Sequence, residues 1–341
     1  MSLKFKYYSA NLLVIYLVLA FYLNNKYYID FLRIETQYIL GCYAVLYTLG
    51  GFIYYYFIDE KKVSETKGYI ALRTIRNFLK HSIVYLGKFT SDPNFKMPHI
   101  SFTEKTNLLF LAVKIFFFPI MINFIFGNID SVIRGYAAWT LDYNVELTVG
   151  AFNNAIYPLL FGLLLLVDCS IFTFGYMVDA KIFRNKIRSV EPTMLGWIVA
   201  LLCYPPFNNI TNYYISCYAD DYAVFDSDNI TFLARLTALM LFTIYVWGSV
   251  ALGMKASNLT NRGIVTNGPY AYVRHPAYIS KNLAWWISIF AINTPTAYIG
   301  MIFLSFIYFM RAITEERHLI TDPDYQEYCK VVKYRFIPGL Y

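Results

Sequence analysis

The sequence predicts an all-α, polytopic integral membrane protein of about eight transmembrane helices, closed by a cytoplasmic C-terminal helical segment. Three observations carry that expectation. Apolar residues make up 58% of the 341-residue chain and charged residues 15%, against about 45–50% and about 25% in average soluble domains. Eight apolar runs approach the ~20 residues that cross a bilayer. The segments between those runs alternate in charge. Such a composition excludes an ordinary soluble enzyme, a disordered chain and a basic nucleic-acid arm, so no nucleic-acid partner is expected.

The eight runs cover residues 7–23, 38–58, 107–126, 155–178, 194–216, 230–253, 276–292 and 295–310. Lys4 and Lys6 precede the first, which ends Leu23-Asn24-Asn25-Lys26 without a small-residue cleavage site, so it reads as a retained anchor. Pro205-Pro206 must end or kink the fifth run. Only Asn293-Thr294 separates the last two, which predicts a tight helical hairpin with Thr294 as cap and Pro295 at the first helical position. From the N-terminus onward, the connecting segments carry net charges of +2, 0, +4, −2, +2, −4, +3, 0 and 0. Basic segments alternate with neutral or acidic ones, which places both termini in the cytoplasm by the positive-inside rule.

The chain divides by its motifs into residues 1–253, a bundle of six spans, and 254–341, two spans and a tail. The long cytoplasmic loop 59–106 holds an apolar stripe of Leu72, Ile75, Leu79, Ile83 and Leu86 flanked by Arg73, Arg76 and Lys80. That pattern predicts an amphipathic helix lying on anionic lipid. Ser101-x-x-Glu104 reads as a capping box opening the third span. Cys42, Cys169, Cys203, Cys217 and Cys329, like the four histidines, lack ligand spacing, so neither a disulfide framework nor a metal site is expected. Lys114, Asp168, Arg235 and Lys281 fall inside spans. Arg235 sits near a membrane face and is expected to snorkel. Asp168 is expected to face the bundle, with Lys114 and Lys281 as the candidate partners between which the sequence does not choose.

Polar chemistry concentrates at the C-terminal end. In Gly268-Pro269-Tyr270-Ala271-Tyr272-Val273-Arg274-His275-Pro276-Ala277-Tyr278, the Gly-Pro pair makes a turn and Pro276 opens the seventh helix. Arg274 and His275 then sit at a helix N-terminus, where free N–H groups and a guanidinium suit a carboxylate or phosphate. In Arg311-Ala312-Ile313-Thr314-Glu315-Glu316, Arg311 and Glu315 are i, i+4 neighbours expected to pair, while Glu316 points about 100° away and is left for another partner. Asp322-Pro323 predicts a capped short helix, and the chain runs on through Tyr328-Cys329-Lys330-Val331-Val332-Lys333-Tyr334-Arg335-Phe336-Ile337-Pro338.

In this order, over residues 259–341, these motifs resemble the isoprenylcysteine carboxyl methyltransferase family and the related membrane phospholipid methyltransferases. The resemblance implies S-adenosylmethionine as cofactor, in a pocket between the closing spans and the C-terminal segment. His275, Pro276 and Tyr278 would line that pocket, Glu315 and Glu316 would include a cofactor ligand, and Arg274 or Arg311 would hold an anionic acceptor or the methionyl carboxylate. It also implies a lipophilic small-molecule or lipidated acceptor entering from the bilayer. The same segment is similar to membrane sterol reductases, which use NADPH. Where the methyltransferases usually have Gly two residues after the motif tyrosine, and the reductases Gly-Asp, this chain has Ser280-Lys281.

Charge distinguishes the two cofactors. A sulfonium, an ammonium and a ribose diol want carboxylates, whereas a pyrophosphate and a 2′-phosphate want several cations. Adjacent glutamates favour the former, although Lys330, Lys333 and Arg335 are available to the latter. With no Gly-rich loop after a strand, the chain is not a soluble Rossmann-type methyltransferase.

Overall fold

The computed structural model describes residues 2–60, 63–88, 99–215 and 219–340. Cys217, the end of the 194–216 run and parts of the 59–106 loop lie outside the described residues. The chain packs as two compact units, Met1–Pro119 and Ile120–Tyr341. Residues 254–341, set apart by their motifs, fall inside the second.

In the first unit α1 (Leu3–Asn24), the short α2 (Lys26–Phe31) and α3 (Ile34–Phe57) form a helical hairpin. Its core is aromatic, with Tyr7, Tyr8 and Tyr55 buried together. The hairpin is pinned by polar groups: Tyr8 donates to Thr48 O at 2.6 Å and Asn11 Nδ2 to Tyr47 Oη at 2.7 Å. α4 (Lys67–Lys88) is the amphipathic helix anticipated from the stripe. It turns Gly68, Ala71 and Thr74 inward, where Gly68 N donates to Asn11 Oδ1 at 3.0 Å. It leaves Ile75, Leu79, Ile83 and Leu86 exposed. The capping box forms at the start of α5 (Phe102–Leu141), with Ser101 N donating to Glu104 Oε2 at 3.1 Å and Glu104 N to Ser101 Oγ at 3.3 Å.

Among the described residues, six helices are long and apolar enough to cross a membrane: Leu3–Asn24, Ile34–Phe57, Phe102–Leu141, Val149–Met177, Asp228–Lys255 and Pro295–Leu319. Two of the expected spans differ in form. The third does not stop near residue 126 but continues to Leu141, 40 residues and about 60 Å of helix. Residues 127–141 keep enough apolar character to propagate the helix, so the connection shrinks to 142–148. The fifth is not one helix. It breaks into α8 (Met194–Leu201) and α9 (Phe207–Tyr214) on either side of Pro205-Pro206, and eight residues, about 12 Å, cannot cross alone.

The second unit is organised around α10 (Asp228–Leu252), which packs on α7 (Tyr157–Met177) and α11 (Pro276–Ile292). Tyr157, Phe161, Ala238, Phe242 and Ala284 fill that contact. α6 (Val149–Ala151) and a π-helical turn (Phe152–Ile156) lead into α7. α11 has 17 residues and returns through the anticipated hairpin to α12 (Pro295–Leu319). Asn293 takes the left-handed conformation that closes α11, and Thr294 Oγ1 accepts from Ala297 N at 3.3 Å. β1 (Ser189–Val190) pairs antiparallel with β2 (Thr260–Asn261). Asp322 caps α13 (Pro323–Val331) through Asp324 N at 3.0 Å.

Arg235 does not snorkel. It is buried under Tyr157 and donates to the Asn153 and Tyr222 carbonyls, tying the 219–227 loop to the π-helical turn. The carbonyls freed by the irregular backbone there satisfy the guanidinium better than lipid headgroups would. Asp168 faces the bundle as expected, accepting from Tyr245 Oη at 2.7 Å and Ser249 Oγ at 2.5 Å, and Lys281 attracts it electrostatically.

Candidate functional site

Five of the seven motif residues surround one cavity, open to the exterior, in the second unit. Arg274, His275, Tyr278, Arg311 and Glu315 line it; Pro276 and Glu316 do not.

Glu316, outside the lining, ties together Arg274 and His275, which belong to it. His275 closes the N-terminus of α11, and its Nε2 lies 3.1 Å from Glu316 Oε1. Arg274 Nε is 3.3 Å from the same oxygen, and Arg335 Nε donates to Oε2 at 2.8 Å. The anion anticipated at this helix N-terminus is thus the protein's own carboxylate. The clamp also docks the tail. Arg274 N and His275 N donate to Tyr334 O at 3.0 Å and Arg335 O at 2.9 Å, and Phe336 packs on His275 with ring centroids 5.7 Å apart. Arg274 Nη1 and Nη2 donate to Cys329 Sγ and Lys333 O. α13 seats Tyr325 and Tyr328 on Ile264 and Tyr270, and burial pushes both phenols well above their ordinary value.

The expected Arg311–Glu315 pair does not form. Tyr278 Oη donates to Glu315 Oε2 at 2.6 Å, and Arg311 Nη2 reaches Asn258 Oδ1. Both partners come from outside α12 and take up the carboxylate and the guanidinium in place of each other. Arg311 lies over the Tyr278 and Tyr204 rings at 5.1 and 5.8 Å. Asn258 is held in turn by Tyr176 and Tyr204: its N and Nδ2 meet Tyr176 Oη at 2.9 and 2.7 Å, and Nδ2 meets Tyr204 Oη at 3.1 Å. The carboxamide oxygen is therefore aimed at the guanidinium by two fixed phenols.

Ser280 does not narrow the cavity. Its hydroxyl donates back to Pro276 O at 2.8 Å within α11, away from the lining. Lys281, by contrast, lines the cavity. So does Glu191, which is almost wholly buried. Its Oε1 accepts from Thr193 N, the N-cap residue of α8, at 2.9 Å and meets Arg317 Nη2 at 3.3 Å, while Oε2 is buried without a hydrogen-bond partner. Beneath the site, Asp322 takes Arg188 at 2.8 Å and Asn261 at 2.7 Å. Burial alone would raise its carboxyl, but these bonds and the Asp324 amide hold it below the usual carboxylate range.

Asn258, Tyr204 and Glu191 escaped the sequence reading because they lie outside the motif order. Only the Pro205-Pro206 break beside Tyr204 marked its segment as unusual. The donor set fits a cationic, diol-bearing cofactor: Glu315 and Glu191 offer carboxylates, one with an unsatisfied oxygen, and Arg311 offers a guanidinium. Of the tail cations Lys330, Lys333 and Arg335 that would serve a dinucleotide's phosphates, none lines the cavity. Arg335 is spent on Glu316, and Lys330 bonds Glu327 at 2.6 Å.

Residues 230–321 match the model of the Isoprenylcysteine carboxyl methyltransferase (ICMT) family, covering α10 through α12 and the motif residues on them. No curated protein and no solved structure matches the chain. The family match supports a membrane methyltransferase.

Proposed function

We propose that the chain is an S-adenosylmethionine-dependent methyltransferase acting on a lipophilic acceptor drawn from the bilayer. The observation that carries this reading is the convergence of the motif residues on one cavity whose lining sets the carboxylates of Glu315 and Glu191 beside the guanidinium of Arg311. His275, Tyr278, Arg311 and Glu315 would contact the cofactor or the acceptor. Arg274 and Glu316 would act from the wall by fastening the tail, and Pro276 by starting α11. The positive-inside alternation supports a cytoplasmic site and cytoplasmic termini.

When bound, S-adenosylmethionine supplies an already activated methyl group. What this chain adds is alignment and exclusion of water, which together account for most of the effect in such a transfer. The Tyr278–Glu315 and Asn258–Arg311 bonds hold a carboxylate and a guanidinium in fixed positions. The docked 332–337 tail shields the α11 N-terminus. A carboxylate acceptor is ionised at pH 7 and needs no general base. The exposed apolar stripe of α4, flanked by basic side chains, would rest on anionic lipid.

The test is calorimetric titration of the purified protein with S-adenosylhomocysteine and, separately, NADPH. Saturable binding of the former, weakened about tenfold or more by Glu315→Gln and by Arg311→Met, is expected. Saturable binding of NADPH alone refutes the reading.

A further inference from the structure

Lys281 is the one lining cation the site description leaves without a task. It lies one turn beyond Tyr278 on the same face of α11, and both line the cavity. Its Nζ is 4.9 Å from the Tyr245 ring and 4.9 Å from the Trp285 ring. Cation–π attraction orients the ammonium between these rings but occupies none of its three N–H donors. Among the described residues Nζ makes neither a hydrogen bond nor an ion pair.

The rings are themselves immobilised by acids. Tyr245 Oη donates to Asp168 at 2.7 Å, and Trp285 Nε1 donates to Asp221 Oδ1 at 2.8 Å. Both carboxylates attract Lys281 electrostatically. Neither consumes its donors, because each is occupied by a cage residue. The result is a preorganised cation with open donors facing a cavity among membrane-spanning helices. Charge in such a place is costly and marks a ligand path more often than a packing device.

We propose that Lys281 determines specificity for an acceptor bearing an anionic head, a carboxylate or a phosphate, on an apolar chain. This rests on the methyltransferase reading above. Neutral lipid alcohols would leave the ammonium unpaired and bind poorly. The two anionic heads share the chemistry and differ in source, one from a lipidated residue and the other from a lipid headgroup.

The experiment titrates the detergent-purified protein, saturated with S-adenosylhomocysteine, with an S-prenylated N-acetylcysteine, its carboxamide and a lysophosphatidate. Wild type is expected to prefer at least one anionic probe over the carboxamide by about tenfold or more. Lys281→Met and Lys281→Gln reduce that preference to within about twofold, Lys281→Arg keeps most of it, and S-adenosylhomocysteine affinity stays within about twofold throughout. Because Lys281→Met leaves Asp168 and Asp221 without their cation, Asp168→Asn/Lys281→Met is measured beside it and should show the same loss of preference. Lysophosphatidate as the Lys281-dependent ligand assigns the phosphate, and the prenylcysteine assigns the carboxylate. An unchanged preference in Lys281→Met, or no preference in wild type, overturns the proposal. So does loss of stability and S-adenosylhomocysteine binding with the preference intact, which makes Lys281 a bundle residue. If wild type binds no S-adenosylhomocysteine, the methyltransferase reading fails instead, and the charge preference is then read without it.

Discussion

Replacing Glu316 with Ala should release the C-terminal tail. The Glu316 side chain is 10% exposed and accepts from His275 at 3.1 Å and Arg335 at 2.8 Å, with Arg274 ion-paired at 3.3 Å. Hydrogen bonds to charged groups contribute about 1.5–3 kcal/mol each. Arg335, 28% exposed, recovers part of its loss from water. Arg274 and His275, 13% and 6% exposed, recover little. The net cost is about 2–4 kcal/mol, near the lower part of the range for breaking a buried pair. The amides of Arg274 and His275 report it directly, since they donate to Tyr334 and Arg335 carbonyls only while the tail is docked. At about 1.4 kcal/mol per factor of ten, their hydrogen-exchange protection should fall by roughly 30- to 700-fold. Glu316→Gln, which keeps the shape and one acceptor, should lie between. Protection within threefold of wild type in Glu316→Ala would refute the clamp. An equal loss along the whole of α11 would show global unfolding rather than release of the tail.

Three further outcomes follow from the same geometry. Asp322, held below its unfolded value of about 3.9, contributes stability that is fully present above about pH 4 and is lost as pH falls through its folded value; acid unfolding profiles between pH 2 and 5 should flatten in Asp322→Asn. Gly175→Ala should lower the melting temperature by several degrees or prevent folding, because an added Cβ would overlap the Ala256 carbonyl oxygen, whereas Gly41→Ala, which meets open space, should be neutral to slightly stabilising. Asn258→Ala removes the acceptor for buried Arg311 and should cost about 2–3 kcal/mol in thermal unfolding, together with S-adenosylhomocysteine affinity.

Short-range chemistry was legible in the sequence. The Ser101–Glu104 box, the Asn293-Thr294-Pro295 hairpin, the Asp322 cap and the α4 stripe each depend on residues within about one turn of one another. The separation of Glu315 from Glu316 was also legible, because helical geometry alone turns them apart. Span limits were less so. Apolar content does not say where a helix stops, so α5 outran its predicted end, and a proline pair says that a span breaks without saying into what. The Arg311–Glu315 pairing failed for a related reason: the i, i+4 rule describes an isolated helix, and here Tyr278 and Asn258 outcompete it.

By itself, the amino-acid order determined an all-helical membrane chain with its polar chemistry gathered near the C-terminus, because burial and backbone satisfaction in a bilayer leave few other solutions for such a composition. Only the tertiary structure decided which charges are spent and which remain available. Glu316 is spent on Arg274, His275 and Arg335, while Lys281, Arg311 and Glu315 face the cavity. That division depends on contacts between residues as far apart as Asn258 and Arg311 or Asp221 and Trp285, and periodicity along one helix carries no information about the distance between two.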